Sequence, residues 1–351
     1  MRDRIRHPGG VIAALRRNRR RFIMSGCILS ACTLLLIAMN SSITPTTFSS
    51  VSAQEESRLT TVAEKSTGCG KPSPVAPGTS VTQTLSSGGI DRSYLLHIPT
   101  GYKDTVEQPL VLNFHGHGSN ASQQQYRTGF SQLANAYDFI VAYPQGAIGP
   151  DHRTGWDTGP RRDPHTNDVL FVSNLLTHLE ESWCINPERI YATGFSNGGG
   201  MTYVLACKMA DRFAAVASVS GSYPPVPGGC NPARPVPIME LHGTADRTVP
   251  YNGSSAKGYP PITQWLQQWA ERDGCDRRPV TFFNEGNVTG ERWVGCRDNV
   301  TIIHYTIDGM GHMWPRHLII RTRNGAVPFD ATNLIWSFFQ SYRLPATRAG
   351  T

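Results

Sequence analysis

From Pro109 to the neighbourhood of Tyr342, short apolar runs alternate with amphipathic segments of helical length. The runs Leu110–Phe114, Asp138–Tyr143, Arg189–Gly194, Ala214–Ser218, Val236–Leu241 and Val300–Thr306 read as strands. Asp168–Trp183, the stretch from Ser196 to about Met209, Ile262–Arg272 and Ala331–Tyr342 read as helices. Pro109-Leu110-Val111-Leu112 has no polar residue at alternate places. That is the pattern of a strand buried on both faces, and a chain of such strands separated by helices predicts an α/β fold with a mostly parallel central sheet and helices on both sides. Ahead of it, Ser80–Leu85 and Arg92–Ile98 flank Ser86-Ser87-Gly88-Gly89 and predict an antiparallel hairpin. In a sheet of this kind ligands gather at the carboxyl ends of the strands, so those loops are the place to look for chemistry.

The pattern before the hairpin is different. Five arginines (Arg16, Arg17, Arg19, Arg20, Arg21) precede the apolar run Phe22–Met39 and the small-residue exit Val51-Ser52-Ala53, the three parts of a secretory signal. Cleavage after Ala53 is the first reading. Lipidation at Cys32, in Leu29-Ser30-Ala31-Cys32, and retention of the run as an anchor stay open. The expected organisation is a leader over residues 1–53, an extended segment over 54–80 and one catalytic domain over 81–345. The net charge of +7 belongs to the leader, which holds eight Arg against Asp3 and leaves 25 basic and 25 acidic residues in the body. A neutral body gives no reason to expect nucleic acid or an anionic membrane as a partner. Six cysteines lie in the body, and disulfides Cys207–Cys230 and Cys275–Cys296 between near neighbours, with Cys69–Cys184 pinning the N-terminal segment, suit a chain bound for an oxidising compartment. No Cys-x-x-Cys or His-Glu-x-x-His spacing appears, so no metal is expected.

Gly194-Phe195-Ser196-Asn197-Gly198 follows the strand Arg189–Gly194 and opens a helix, the setting that a nucleophile elbow requires. Small residues two before and two after Ser196 let neighbouring backbones pass, and the helix N-terminus favours developing negative charge. Acyl transfer also needs backbone donors for the tetrahedral oxyanion. Asn197 supplies one amide, and His117, after Phe114-His115-Gly116, is the candidate for the second. The order serine, acid, histidine for such a sheet leaves His242, His304, His312 and His317 by position. His312 stands in a glycine-rich loop just after Val300–Thr306 and is the expected base, while His304 inside that strand reads as a satisfied core residue. Asp246, in His242-Gly243-Thr244-Ala245-Asp246, is the expected acid ahead of Asp308 and Asp211. Trp156 and Trp314 are candidates to stack on a substrate ring, against the plainer reading that each packs its own loop. Asp168 reads as a helix cap.

Taken together, Gly68-Cys69-Gly70-Lys71-Pro72, Arg92-Ser93-Tyr94, His115-Gly116, Tyr143-Pro144, Asn167-Asp168-Val169, Tyr191 to Gly199, His242 to Asp246 and Gly311-His312-Met313-Trp314-Pro315 resemble the family-one carbohydrate esterases and their poly(3-hydroxybutyrate) depolymerase relatives, over roughly Gly68 to Tyr342. The resemblance implies an α/β-hydrolase fold, a triad of Ser196, Asp246 and His312, and no metal or organic cofactor. It also implies an ester substrate, linked to a polysaccharide or to a polyester. The depolymerases of this kind usually carry a linker and a polymer-binding domain, of which the chain shows no sign, and the Gly-Cys-Gly-Lys start is similar to the feruloyl esterase branch. Hydroxycinnamoyl esters are therefore the first expectation, with poly(3-hydroxybutyrate) or acetylxylan second. A non-catalytic cell-wall-binding protein on the same scaffold is the alternative of another class.

Overall fold

The computed structural model describes residues 66–159, 166–322 and 325–345. The leader expected over residues 1–53 lies outside the described residues, as do residues 54–65 of the extended segment expected over 54–80 and the stretch with Pro160, Arg161 and Arg162.

The chain opens on the hairpin β1 (Ser80–Ser87) and β2 (Ile90–His97), then runs through β3 (Gln108–Phe114), α1 (Ala121–Thr128), α2 (Phe130–Tyr137) and β4 (Ile140–Pro144). A two-rung hairpin, β5 (Ala147–Ile148) and β6 (Thr154–Gly155), precedes α3 (Asp168–Ser182). Next come β7 (Ile185–Phe195), α4 (Asn197–Lys208), β8 (Ala215–Val219), β9 (Ile238–Gly243) and α5 (Ile262–Asp273). The hairpin β10 (Val280–Glu285) and β11 (Val288–Trp293) leads to β12 (Ile302–Ile307), a second small hairpin of β13 (Leu318–Thr322) and β14 (Gly325–Phe329), and α6 (Ala331–Phe339). Ten strands form one sheet in the order β1-β2-β4-β3-β7-β8-β9-β12-β11-β10. The six from β4 to β12 are parallel, and an antiparallel hairpin closes each edge.

Side chains on β3 alternate between two cores, which explains its unbroken apolar run. Leu110, Leu112 and Phe114 join one face with Phe171 and Leu175 of α3, Leu205 of α4 and Trp269 of α5. Val111 faces the other with Phe130 of α2 and Ile335, Trp336 and Phe339 of α6. Because the chain leaves β3 for β4 on one side and returns to β7 on the other, the carboxyl ends of β3 and β7 diverge at a switch point. Phe114 pairs with Gly194 there, one residue before His115 and two before Ser196.

The disulfides are Cys69–Cys184, Cys207–Cys230 and Cys275–Cys296. The first ties the N-terminal segment to the end of α3, where Gly68 N also donates to the Glu180 carbonyl at 2.9 Å. Among the described residues no helix is long and apolar enough to cross a membrane.

Several elements lie outside the pattern reading. α1 is mostly polar and packs through amides: Gln124 Nε2 donates to Asn113 Oδ1 at 2.8 Å, and Asn113 Nδ2 to Thr128 Oγ1 at 3.0 Å. The strand expected from Asp138 begins at Ile140, because Asp138 closes α2 in the left-handed region with φ 53°. The last helix ends at Phe339 rather than at Tyr342. The cap of α3 is Asn167, whose side chain accepts from Leu170 N, and not Asp168. Asp168 instead forms a buried ion pair with Arg92 at 2.7 Å and accepts from Asp157 N at 2.8 Å, which ties the loop after β6 to β2.

Candidate active site

Ser196 sits between β7 and α4 at φ 57° and ψ −120°, a conformation that a residue with a side chain holds only when its surroundings impose it. Here they do. Ser196 N donates to the Val219 carbonyl at 3.0 Å, and its own carbonyl accepts from Gly200 N at 3.0 Å and Ser222 N at 3.2 Å. A Cβ on Gly198 would run into the carbonyl oxygen of Phe114, so glycine at this point lets α4 pack against the end of β3. The turn thus raises Ser196 Oγ above the sheet at the switch point.

His312 comes from the loop after β12 and Asp246 from the loop after β9, the two neighbouring parallel strands beyond β8. The structure brings all three side chains together. His312 Nε2 lies 2.9 Å from Ser196 Oγ, and His312 Nδ1 lies 2.7 Å from Asp246 Oδ2. The Asp246 side chain is fully buried, while His312 keeps 18% of its side chain exposed, so the far end of the chain of contacts is open to a ligand and the near end is closed. Asp246 Oδ1 accepts from Thr248 N and Val249 N, each at 2.8 Å. Burial pushes its carboxyl up, but hydrogen bonds from His242, His312 and Val249 outweigh that and hold it well below the usual carboxylate range. Asp308, the rival acid, is engaged elsewhere, with its Oδ1 accepting from Thr244 Oγ1 at 2.8 Å.

Two backbone amides border the serine. Asn197 is the first residue of α4, where an amide has no carbonyl of its own helix to meet. The peptide between Gly116 and His117 is held by its carbonyl, which accepts from His115 Nδ1 at 2.8 Å and from Ser119 N at 3.1 Å. Since a trans peptide sets C=O and N–H on opposite sides, this grip turns the His117 N–H the other way. His115 is fixed in turn. Its Nε2 accepts from Gly146 N at 2.9 Å, so its proton is on Nδ1, and burial lowers its pKa and keeps the ring neutral. The His117 ring points away to Asp151, 2.8 Å from Nε2, on the β5–β6 turn.

This geometry can be set beside known proteins. Residues 92–229 match the family model described as "Esterase PHB depolymerase". A feruloyl esterase B of Piromyces equi is 34% identical over 231 residues, 63% of this chain and 42% of its own length. A probable feruloyl esterase C of Aspergillus terreus is 29% identical over 81% of this chain and 94% of its own. Among solved structures, an acetyl xylan esterase from Aspergillus awamori superposes with a TM-score of 0.54 at 18% identity, over 74% of this chain and 99% of that one, a likeness of fold. The chain has the α/β-hydrolase fold, and its residues 92–229 are similar to the PHB depolymerase esterases. It spans less than half the length of the Piromyces relative.

In this α/β-hydrolase the two tryptophans offered for substrate stacking have other partners, which corrects that expectation. Trp156 is 6% exposed; its Nε1 donates to the His115 carbonyl at 2.9 Å and its ring meets Phe114 edge-on. Asn197 clamps the same residue, accepting from Trp156 N at 2.7 Å through Oδ1 and donating through Nδ2 to the Trp156 carbonyl at 3.1 Å. Trp314, also 6% exposed, donates from Nε1 to Thr332 Oγ1 at 3.0 Å and packs against Phe130. Neither ring offers a free face. Both brace the loops that carry His115 and His312.

The outer side of α1 faces solvent. Ser122, Gln123, Tyr126 and Arg127 line an open depression of about 550 Å³. Tyr126 is 86% exposed in relative area, and the Arg127 guanidinium covers the Phe195 ring at 4.7 Å. Phe195 precedes Ser196 and lies 4.8 Å from the His312 ring, so Arg127 and Phe195 join this depression to His312. Nothing in the polar sequence of α1 marked it beforehand.

Proposed function

We propose that the protein is an exported serine carboxylic-ester hydrolase that acts on hydroxycinnamoyl or related carbohydrate esters. The observation that carries this reading is the unbroken contact from Ser196 Oγ through His312 to the ionised Asp246 carboxylate at the switch point of the sheet. Ser196 Oγ attacks the ester carbonyl carbon as its proton passes to His312 Nε2, and the oxyanion that forms is met by the Asn197 and His117 amides. The C–O bond to the alcohol then breaks, with His312 giving its proton to the departing oxygen. Water repeats the sequence on the acyl-enzyme, again through His312, and releases the acid and free Ser196. Asp246 holds the His312 proton on Nδ1, which leaves Nε2 free to accept.

The substrate preference is supported by the feruloyl esterases among the relatives and by the exposed Tyr126, an aromatic face for a phenolic or sugar ring in the depression that Arg127 shares. Export is supported by three disulfides in a body that follows a basic and apolar leader. Methyl ferulate, naphthyl acetate and a 3-hydroxybutyrate oligomer, offered side by side to the purified protein, test the substrate class. The kcat/KM for methyl ferulate should exceed that for the oligomer by at least about tenfold. The reverse order would make the protein a polyester hydrolase, and no turnover of any of the three would remove the enzymatic reading.

A further inference from the structure

Behind Asp246 the hydrogen-bonded chain continues into the core. His242, at the end of β9 and with a fully buried side chain, places Nε2 at 2.9 Å from the Val249 carbonyl oxygen and at 3.4 Å from Asp246 Oδ2. Its Nδ1 lies 2.8 Å from Oε1 of Glu240, whose side chain is equally buried. On the other side of Glu240, His304 of β12 sets Nδ1 at 2.8 Å from Oε2 and 3.3 Å from the Glu240 carbonyl oxygen. The remaining nitrogen of His304 meets the hydroxyls of Tyr251 and Thr306, each at 3.0 Å. Tyr223 donates to Ser218 Oγ at 2.7 Å and stands 3.5 Å from Glu240 Oε1.

Counting hydrogens along this chain assigns the protonation states. A carbonyl oxygen can only accept, so Nε2 of His242 carries hydrogen toward Val249. His304 Nδ1 faces two acceptors and so carries hydrogen, while its Nε2 meets the two hydroxyls. His304 Nδ1 also lies 2.8 Å from Glu240 Oε2, with its hydrogen turned to the Glu240 carbonyl oxygen. The two imidazoles beside Glu240 hold it as a carboxylate, which takes an N–H from His242 on Oε1, so both nitrogens of His242 carry hydrogen. Burial alone would strip that charge, but Glu240 together with the bonds to Asp246 and Val249 pushes the His242 pKa up to about 10. The carboxyl of Glu240 is lowered, against the effect of its burial, by the same two imidazoles.

We propose that His242 is a permanently protonated positioning residue, anchored by Glu240, whose buried positive charge holds the triad carboxylate Asp246 ionised and in place and limits how strongly it draws a proton onto His312. The proposal rests on the triad reading above. The groups facing His242 are Glu240 on its own strand, Asp246 and the Val249 carbonyl on the following loop, His304 on β12 through Glu240, and Tyr251, whose ring centre is 6.0 Å away. Two buried carboxylates beside one another would otherwise repel, and one would take up a proton. A cation between them lets both stay charged.

The sign of the effect follows. A positive charge beside Asp246 disfavours a second one on His312, so its removal stabilises the His312 imidazolium and moves the acidic limb of the kcat/KM profile toward higher pH. The first test is direct: imidazole nitrogen resonances of the full-length protein labelled at histidine, with His242→Gln to assign the signal. Both His242 nitrogens should be protonated from about pH 5 to about pH 9. A single deprotonated nitrogen at neutral pH would overturn the proposal. The second test is the pH profile of His242→Gln, which keeps a donor toward Val249 without the charge, and of Glu240→Gln/His242→Gln, which leaves no unpaired buried carboxylate if the single variant fails to fold. The acidic limb should rise by about one pH unit in each variant that folds. A uniform loss of kcat with an unmoved limb would mean that His242 is merely structural, and would also overturn the proposal. Turnover that survives Ser196→Ala would defeat the triad reading separately, while the nitrogen spectrum would still report on His242.

Discussion

Ser196→Ala lowers kcat toward every ester substrate by about 10⁴-fold to 10⁶-fold and leaves the melting temperature within about 1 °C of the parent. The two halves of this expectation have separate causes. The hydroxyl of Ser196 makes its contact with His312, so its loss removes the nucleophile. The strained turn is held by main-chain bonds to Val219, Gly200 and Ser222, which alanine keeps. Steady-state kinetics and a thermal melt on the same preparation check both. An activity loss smaller than tenfold would place the nucleophile elsewhere, and a collapse of the melting temperature would mean that Oγ is a structural atom.

Asp246→Asn produces the second large effect, a fall in kcat of about 10³-fold to 10⁴-fold at neutral pH with little change in KM. The reason lies in the orientation that the loop imposes. Thr248 N and Val249 N both donate to Oδ1, so the amide oxygen of asparagine stays there and its NH₂ group takes the place of Oδ2. That group donates toward His312 Nδ1, which must then accept, and the ring proton moves to Nε2. Nε2–H cannot take a proton from Ser196. The same NH₂ also meets the Nε2–H of His242, 3.4 Å from the Oδ2 position, so a modest loss of thermal stability accompanies the kinetic one. Kinetics at several pH values with a parallel melt test this, and near-parental kcat would show that Asp246 does not set the tautomer.

Much of this arrangement was legible in the sequence because it depends on local rules. Phe114, Phe195 and Ile307 end strands of the parallel sheet, and the loops that follow them or their neighbours carry His115, Ser196, Asp246 and His312. A buried apolar run followed by glycine-rich polar residues marks such a strand end without any knowledge of neighbours. The near-neighbour cysteine pairs were legible for the same reason. The edges were not. β10 is largely exposed and β13–β14 is a short hairpin off the main sheet, so neither has the solid apolar signature of the centre. α1 escaped because it packs by side-chain amides instead of leucines.

The site shows the same division. Trp156 and Trp314 read equally well as platforms or as braces, because a tryptophan in a loop does not reveal which way its ring turns. Burial and the bonds to His115 and Thr332 decide for braces. His242, one of the four histidines left by position, turns its nitrogens to Glu240, Val249 and Asp246 and not to Ser196. What sequence order could not convey is that β9 and β12 lie side by side, with His304 in register with Glu240. That pairing puts two imidazoles on one buried carboxylate.

The central claim is that Ser196 is a hydroxyl made nucleophilic by His312 and Asp246. Reaction of the full-length protein with a fluorophosphonate, followed by mass mapping of the adduct, tests it most directly. The account predicts one adduct per chain, on the peptide that contains Ser196, absent from Ser196→Ala and slowed by at least about 10²-fold in Asp246→Asn. An unmodified Ser196 under conditions that label other serine hydrolases, or an adduct on a different residue, would contradict it.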